Sequence, residues 1–389
     1  MRHVAFYIGS LKKGGAERVF VNLASWFLAR GYEVTMVTQY QKENEYELPE
    51  GVTRVLSDLT PEEEGGRLGN LFRRYRKLRR IFKETGADLV LSTIGKNNFM
   101  AILANAFLPT KVVVSVVAEP TEEYPNAPMR FLAKTLFYFA DGIVMQTTDA
   151  VRFFQKSLQK KCVILKNSLN PDFVRPRFEG ARPQDIVAVG RMDDNKNQRM
   201  AIRAFEKIAG QFPKARLILY GDGPLRETLQ TEVSKSPLAG RVLFPGRVTD
   251  VPERIGKAYA FVLTSFTEGM PNTLIEAMSL GLACISTDCP CGGPRDLIRD
   301  GENGFLVPVN DAEALARRLA GLLSDPEKTG RIGKEAAKLG QAYAPEKVNA
   351  EWERGLQEEA DLHKTLVYSP KPWYTDRIET VRRLAGEQQ

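Results

Sequence analysis

The chain has 389 residues, of which 43% are hydrophobic and 26% are charged, and it carries a formal net charge of +7. This balance is typical of a folded protein with room for two domains, and the positive charge favours an anionic partner. No apolar run approaches the roughly 20 residues that cross a bilayer, and the N-terminal segment lacks a signal-peptide cleavage region, so we expect a cytoplasmic protein.

Short β-branched runs alternate with longer amphipathic stretches in both halves of the chain, a pattern typical of parallel sheets with helices. The predicted strands are "HVAFYIG", "EVTMVTQ", "ADLVLST", "KVVVSVV", "GIVMQT" and "CVILKN", then "DIVAVG", "ARLILYGD", "RVLFPG", "AFVLTS", "ACISTD" and "GFLVP". The pattern predicts an α/β fold of two doubly wound, Rossmann-like domains that face each other across a cleft. We place the domains at residues 1–170 and 171–345, and a helix and tail at 346–389 that pack back toward the first domain.

Gly14 and Gly15 lie between the first predicted strand and the helical pattern of "ERVFVNLASWFL". Glycines there allow backbone amides to approach an anion at the positive end of a helix. The spacing matches neither the dinucleotide-binding fingerprint nor the Walker loop, which disfavours an oxidoreductase or a P-loop enzyme. A Gly-Gly turn is a weak signal, so a purely structural role stays open.

The segment "RLGNLFRRYRKLRRIFKETG" is the most strongly cationic in the chain and has the pattern of an amphipathic helix. Its apolar stripe is Leu68, Leu71, Phe72, Tyr75, Leu78 and Phe82, and its cations are Arg67, Arg73, Arg74, Arg76, Lys77, Arg79, Arg80 and Lys83. Such a helix can lie on an anionic bilayer or bind a diphosphate, or it can pack on the core with a solvated basic face. A second amphipathic stretch, "MRFLAKTLFYFAD" at 129–141, also fits a membrane surface, but we expect a buried helix there.

A proline-rich segment at 167–184 is interpreted as the linker between the domains. Beyond it, Arg191 and Lys196 follow a predicted strand in "VGRMDDNKNQR". Two cations on a loop at the carboxyl end of a parallel strand can clamp a diphosphate and neutralise a departing phosphate. Solvated surface cations are the alternative.

The sequence offers few residues that could bind a metal ion or act as an activated nucleophile. The chain has no Asp-x-Asp triplet, its four cysteines do not form two pairs at zinc-ligand spacing, and its two histidines are His3 and His363. We therefore expect no bound metal, reduced structural thiols and no nucleophile activated by histidine.

The segment "TEGMPNTLIEAM" contains two carboxylates, Glu268 before a turn and Glu276 inside the helix that follows. A carboxylate on such a loop commonly accepts hydrogen bonds from sugar or ribose hydroxyls, and amides at 270–273 can point at a phosphate. Thr273 and Glu276 also fit a capping box, which would satisfy the first amides of the helix. The two interpretations are compatible.

These segments together resemble the retaining glycosyltransferases of family 4, which have the GT-B fold. The resemblance covers nearly the whole chain and rests on "GGAERV", "VGRMDDNKN", "YGDGPLRE" and the Glu-x7-Glu signature "EGMPNTLIE". It implies a metal-independent hexosyltransferase that needs no cofactor beyond its nucleotide-sugar donor, with UDP favoured. The first domain would then bind the acceptor and the second the donor.

Residue by residue, the resemblance implies that Arg191 and Lys196 bind the donor diphosphate and that Glu276 binds the ribose. Glu268 and the amides after it would hold the sugar and phosphate. The predicted donor set is Gly14, Gly15, Arg191, Lys196, Arg247, Val248, Glu268, Gly269, Met270, Pro271, Asn272, Thr273, Leu274 and Glu276. Many members carry a histidine near the reacting sugar where this chain has "VVAEPTEEY", so Glu119 joins Arg191, Lys196 and Glu268 as a catalytic candidate that orients the acceptor or accepts its proton.

The resemblance narrows to transferases that extend undecaprenyl-diphosphate-linked oligosaccharides, including N-acetylgalactosaminyltransferases, which share "GRMDDNKN" and a basic helix at this place. It implies a polyprenyl-diphosphate-linked glycan acceptor, a peripheral position at the anionic inner face of the plasma membrane and no nucleic-acid partner. A family 4 enzyme with a soluble acceptor is the first alternative. A non-catalytic module that binds anionic lipid or nucleic acid is the second. Residues 364–389 receive no function.

Overall fold

The computed structural model describes residues 1–361, which divide into two compact units. The first unit contains Met1–Lys166 and the described residues from Asn349 onward, and the second contains Asn167–Val348. His363 and the tail predicted at 364–389 lie outside the described residues. No helix within residues 1–361 has the length and apolar character needed to cross a membrane.

Within the described part of the first unit, seven parallel strands form one sheet in the order β3-β2-β1-β4-β5-β6-β7. The strands are β1 (His3–Ile8), β2 (Glu33–Thr38), β3 (Thr53–Leu56), β4 (Leu89–Thr93), β5 (Lys111–Val116), β6 (Gly142–Met145) and β7 (Cys162–Ile164). The helices are α1 (Gly15–Ala29), α2 (Arg67–Thr85), α3 (Lys96–Asn105), α4 (Pro120–Glu123), α5 (Ala127–Leu136), the 3-10 turn η1 (Phe137–Phe139), α6 (Thr148–Val151) and α7 (Lys156–Gln159).

The second unit has a parallel sheet of six strands, all described, in the order β10-β9-β8-β11-β12-β13. The strands are β8 (Asp185–Val189), β9 (Arg216–Tyr220), β10 (Val242–Gly246), β11 (Ala260–Leu263), β12 (Ala283–Thr287) and β13 (Phe305–Val307). The turns and helices are η2 (Pro171–Phe173), α8 (Gln198–Ala209), α9 (Arg226–Ser234), α10 (Val251–Ile255), α11 (Asn272–Ser279), α12 (Gly293–Leu297), α13 (Ala312–Ser324), α14 (Pro326–Ala337), α15 (Leu339–Ala342) and α16 (Pro345–Asp361), which extends into the first unit.

Both sheets are doubly wound, which confirms the predicted α/β class and the two Rossmann-like domains. The first strand of each unit is flanked by the second and fourth strands of that unit, so the strand order reverses beside it. Each residue of β1 is buried, as expected for a strand with helices on both faces of its sheet. The residues that precede β8 also belong to the second unit, since Leu169 and Phe173 lie in its core.

In the first unit, one strand was not predicted and the burial of one helix was predicted wrongly. Strand β3 was missed because it is a four-residue edge strand with no fully buried position, so its sequence lacks a continuous apolar run. The helix expected to be buried at 129–141 is α5 with η1, and it buries Ala133 and Phe137 while Phe131 and Phe139 are 68% and 74% exposed. Apolar residues occupy two faces of this segment: one face packs on α3, and the other is exposed.

Glu353 on α16 connects the C-terminal helix to α1 and the residues after it. Its Oε2 accepts hydrogen bonds from Trp26 Nε1 at 3.0 Å and Arg30 Nε at 2.7 Å, and its Oε1 accepts from Tyr32 Oη at 2.8 Å. Burial alone would raise the pKa of Glu353, but these donors lower it below its usual value. The ionised carboxylate therefore stabilises the first unit.

We predict that Glu353→Gln lowers the free energy of unfolding by about 1–2 kcal/mol at neutral pH, because charged acceptors form stronger hydrogen bonds. The folded-state pKa lies below the unfolded value of about 4.3, so this stabilisation is complete above that value and is lost as pH falls through the folded-state pKa. Urea titrations across acidic pH should show the difference between variant and wild type disappear. Glu351→Gln, on the same helix, is the control, and an equal loss there would contradict the role of Glu353.

Candidate functional site

The loops that follow β8 and β11 lie side by side at the carboxyl edge of the second sheet, because the two strands are parallel neighbours. β8 pairs with β9 on its other side, so the strand order reverses between β8 and β11. In open α/β sheets, such a switch point leaves a crevice in which ligands bind. Residues 190–197 and 264–271 form these two loops, and most of the predicted site residues lie on them or at the start of α11.

Lys196 and Glu268 form an ion pair between the two loops. Lys196 Nζ lies 2.5 Å from Glu268 Oε1, and Ser265 Oγ donates to the same oxygen at 2.5 Å. The two charged side chains are 24% and 11% exposed, so the pair is partly removed from water. Charge-assisted hydrogen bonds of this kind hold both groups in fixed positions. The two loops thus present a positioned cation beside a positioned acid.

Asn195 holds the two loops together through its side chain. Its Nδ2 donates to Thr267 O at 3.1 Å, and its Oδ1 accepts from Thr267 N at 3.0 Å. Beside it, Lys196 O accepts from Thr264 Oγ1 at 2.9 Å. Asn195 and Thr267 are 72 positions apart, so no local pattern in the sequence identifies Asn195 as a residue that positions the site.

Arg191 leaves its guanidinium open to solvent. Its side chain is 72% exposed, and its Nε lies 3.6 Å from Asp193 Oδ2. Its backbone is fixed, because Gln198 Nε2 donates to Arg191 O at 2.7 Å. Since an exposed and long ion pair contributes little free energy, the guanidinium can exchange Asp193 for another anion at low cost. The loop after β8 therefore carries one paired cation and one exposed cation.

Helix α11 begins at Asn272, with Pro271 as its N-cap residue and no side-chain cap. The predicted capping box is therefore wrong, because Thr273 lies inside the first turn instead of preceding it. Glu276 is within this helix and only 5% exposed. Pro271 has no N–H, so it cannot supply one of the amides that sequence analysis assigned to a phosphate.

The remaining predicted donor residues of the second unit differ in what they can present to a ligand. Met270 and Leu274 are 5% and 0% exposed and belong to the core, so their side chains are committed to packing. Arg247 is exposed and Val248 is half-buried, just beyond the carboxyl end of β10. Their assignment to the donor-binding set stays a prediction.

The loop after β12 supports Glu268 through its backbone. Glu268 N donates to Pro290 O at 2.8 Å, and Cys291 N donates to Glu268 O at 3.1 Å. Gly293, the first residue of α12, packs so closely that a Cβ atom there would lie 1.7 Å from Gly269 O. Glycine at this position therefore allows the loop that carries Glu268 to lie against α12.

In the first unit, Gly14 is the N-cap residue of α1, which begins at Gly15. A Cβ at residue 14 would clash with the Glu17 carboxylate, whose pKa is raised by burial. The same loop is anchored upstream, because Leu11 N donates to Glu45 Oε1 at 3.1 Å. Gly14 and Gly15 thus lie at the N-terminus of α1. Glu45, which sequence analysis missed, holds the backbone that leads into this glycine pair.

Glu119 caps the short helix α4, and its Oε2 accepts from the amides of the first turn at 2.8 and 3.1 Å. Glu123, which sequence analysis did not select, accepts from Val117 N at 2.7 Å and from Gly95 N at 3.0 Å. Burial raises the pKa of Glu123, although these amides oppose the shift. Glu119 therefore lies at the carboxyl edge of the first sheet, where Glu123 joins the loops after β4 and β5.

Two family models match the chain. The model for glycosyl transferases group 1 matches residues 173–339, and the model for the glycosyl transferase 4-like domain matches residues 14–159. The chain is a glycosyltransferase with a 4-like domain followed by a group 1 domain. The resemblance to family 4 noted in the sequence is thereby confirmed.

Two relatives and one solved structure are similar to most of the chain. Two Campylobacter jejuni enzymes match 90% of this chain and 97% of their own length, at 27% and 29% identity: a GalNAc-α-(1→4)-GalNAc-α-(1→3)-diNAcBac-PP-undecaprenol α-1,4-N-acetyl-D-galactosaminyltransferase and an N-acetylgalactosamine-N,N'-diacetylbacillosaminyl-diphospho-undecaprenol 4-α-N-acetylgalactosaminyltransferase. The structure of Anabaena HepE with UDP and glucose aligns with a TM-score of 0.77 at 20% identity, over 91% of this chain and 99% of HepE. The GT-B fold class is thus confirmed.

Helix α2 of this glycosyltransferase packs only its C-terminal half on the core. Leu78 and Phe82 are buried, whereas Leu68, Leu71 and Phe72 are 86%, 58% and 59% exposed. The predicted single apolar stripe is therefore wrong for the first turns, whose apolar side chains are exposed.

The cations of α2 fall into two groups. Arg74 pairs with Asp58 at 3.0 Å, Lys77 pairs with Glu63 at 2.8 Å, and Arg79 donates to the carbonyls of Ala104 and Ala106 at the end of α3. These three stabilise the unit. The others whose side chains are described form an exposed stripe at i, i+3, i+7 and i+10, which we call the cationic stripe: Arg73, Arg76, Arg80 and Lys83.

We predict that Gly293→Ala lowers the free energy of unfolding of the glycosyltransferase by about 1–3 kcal/mol, because the added methyl group must displace Gly269 O. Denaturant unfolding measures the loss. Gly321→Ala, inside α13, is the matched control, since a Cβ there meets no atom within 4 Å. The control should be unchanged or up to about 1 kcal/mol more stable. Equal stability of both variants would show that the loop yields without strain.

Proposed function

We propose that this glycosyltransferase transfers a hexose or N-acetylhexosamine from a nucleotide sugar, with UDP as the expected nucleotide, to a polyprenyl-diphosphate-linked glycan. The transfer retains the anomeric configuration and requires no metal or other cofactor, and the enzyme is peripheral at the inner face of the plasma membrane. The undecaprenol-linked acceptors in the names of the Campylobacter relatives and the UDP complex of HepE support this proposal.

The ion pair between Lys196 and Glu268 is the observation that carries the proposal. A diphosphate at the switch point replaces Glu268 as the partner of Lys196 and attracts the exposed guanidinium of Arg191. Fixed cations stabilise the charge that develops on the phosphate as the sugar–phosphate bond breaks. Glu268 remains bonded to Ser265 and accepts hydrogen bonds from the sugar hydroxyls.

The anomeric configuration is retained when the acceptor hydroxyl attacks the anomeric carbon from the same face of the sugar from which the phosphate departs. The bond from the anomeric carbon to the phosphate oxygen breaks, the acceptor oxygen bonds to that carbon, and the hydroxyl proton moves to the departing phosphate. This route requires no protein nucleophile. We assign to Glu119 the orientation of the acceptor hydroxyl, and the two amides that donate to its carboxylate would keep it in one place.

The cationic stripe of α2 is the proposed contact for the acceptor diphosphate. Its four positions span about 15 Å along the helix, since each residue rises about 1.5 Å. Arg76 and Arg80 are exposed, and their guanidinium groups suit bidentate binding of phosphate oxygens. Loss of the stripe should therefore affect the acceptor and leave the donor site of the second unit intact.

Donor specificity and metal independence are tested by thermal-shift and hydrolysis assays with UDP-, GDP- and ADP-sugars, with and without EDTA. We expect the response to be largest with a UDP-sugar and unchanged by EDTA. Lys196→Ala should lower turnover about 10²–10³-fold, because one preorganised charge at a developing anion contributes about 3–4 kcal/mol. Lys207→Ala, which removes a surface cation paired with Glu313, is the control and should retain wild-type turnover. Inactivation by EDTA, or full activity of Lys196→Ala, would contradict the mechanism.

Acceptor binding is tested by replacing the whole cationic stripe with glutamine. We expect donor hydrolysis to persist and transfer to an undecaprenyl-diphosphate-linked glycan to fall at least about tenfold, since each lost charge-assisted contact contributes roughly 1.5–3 kcal/mol. The control removes four exposed cations from the second unit: Arg317, Arg331, Lys334 and Lys347. Equal impairment of both variants would indicate an effect of net charge alone. Unimpaired lipid transfer by the stripe variant would favour a soluble acceptor.

A further inference from the structure

The outer surface of α3, α5 and η1 exposes large apolar side chains. Phe107 is fully exposed at 102%, Phe139 is 74% exposed and Phe131 is 68% exposed. Leu103 and Leu132 are exposed to 43% and 40%. Clusters of exposed apolar residues are rare on monomeric proteins and usually mark an interaction site.

These residues belong to neighbouring elements of the first unit. The buried ring of Phe99 on α3 lies 6.1 Å from that of Phe137 in η1, which fixes the two elements side by side. α3 and α5 each follow a strand of the parallel sheet and return toward its amino edge, so the ends of α3 and η1 lie at the same side of the unit. We call this surface the aromatic face.

Phe107 has a backbone conformation that its own packing does not explain. It occupies the third position of a turn closed by Leu108 N donating to Asn105 O at 2.9 Å, and its φ is +62°. Such a position in a type II turn favours glycine, because a side chain there is strained. Because the phenyl ring of Phe107 is fully exposed, it makes no packing contacts that would offset the strain of this turn. We therefore look for its function in a contact with another molecule.

The charge pattern identifies the partner. Residues 96–118 and 124–140 contain no Asp or Glu, and the half-buried cations Arg130 and Lys134 lie on α5 with the exposed ring of Phe131. Of the acids that flank these segments, Glu119 caps α4, Glu123 accepts backbone amides and Asp141 pairs with Lys111 at 3.3 Å, whereas Glu122 on α4 is exposed. A surface with apolar rings, cations and no carboxylates is complementary to the anionic headgroups and acyl boundary of a bilayer.

We propose that the aromatic face docks the enzyme on an anionic lipid bilayer by inserting Phe107, Phe131 and Phe139 at the headgroup level. The inference deepens the proposed function, because a lipid-linked acceptor requires an enzyme at the membrane. It assigns bilayer contact to the aromatic face and leaves the cationic stripe for the acceptor diphosphate. Docking is measured without donor or acceptor, so its failure is distinguishable from failure of the transfer reaction.

The test is flotation of the full chain with vesicles of phosphatidylethanolamine and phosphatidylglycerol, compared with vesicles of phosphatidylcholine. We expect the wild type to float with the anionic vesicles and to stay partly bound in high salt, because inserted rings are less sensitive to salt than ion pairs. Phe107→Gly should raise the melting temperature, since it relieves the strained turn, and yet lower the vesicle partition coefficient about tenfold. A merely structural role of Phe107 would not give these opposite effects.

A second variant, Phe131→Ser with Phe139→Ser, should lose about a hundredfold in partition while retaining hydrolysis of the donor sugar. The control is Val174→Ser, which removes a side chain that is 58% exposed in the second unit and should float like the wild type. Absence of wild-type flotation, or wild-type flotation by the aromatic variants, would overturn the proposal. A wild-type dimer that these substitutions dissociate, with vesicle binding unchanged, would overturn it in favour of contact between two copies.

Discussion

The contact between Lys196 and Glu268 depends on one constraint, the parallel pairing of β8 with β11. The pairing brings together two loops that are far apart in sequence, and Asn195 and the loop after β12 then fix their backbones. The Lys196 ammonium and the Glu268 carboxylate form an ion pair at 2.5 Å, in which another anion can replace the carboxylate. A phosphate that binds here competes with the carboxylate for a cation that the fold already holds in place, so no cationic side chain has to move in from solvent.

The sequence was sufficient for the fold because its signals are local. β-branched runs and helical periods identify buried strands and amphipathic helices without knowledge of their partners. The edge strand β3 lacked that signal, since none of its residues is fully buried. The capping box failed for a different reason: Thr273 and Glu276 have the right spacing, but the helix begins one residue before Thr273, at Asn272.

The charged residues of the candidate site have a local signal in the sequence, and the residues that support them do not. Arg191, Lys196 and Glu268 could be selected from a motif, and the roles assigned to them stay predictions. Asn195 and Gly293 could not, because the first acts on a residue 72 positions away and the second acts through the absence of a side chain. The cations of α2 also look alike in the sequence. Only the structure distinguishes those that bind carboxylates and carbonyls from those of the cationic stripe.

The chain passes from the first unit to the second after Lys166 and returns at Asn349, so the first unit is assembled from two separate segments. During synthesis on a ribosome, Trp26, Arg30 and Tyr32 are translated at least 321 residues before Glu353. Until then, Trp26, Arg30 and Tyr32 lack their acceptor. A fragment that stops at Lys166 is therefore an incomplete domain, and the first unit, if produced alone, needs the α16 residues supplied in trans or by circular permutation.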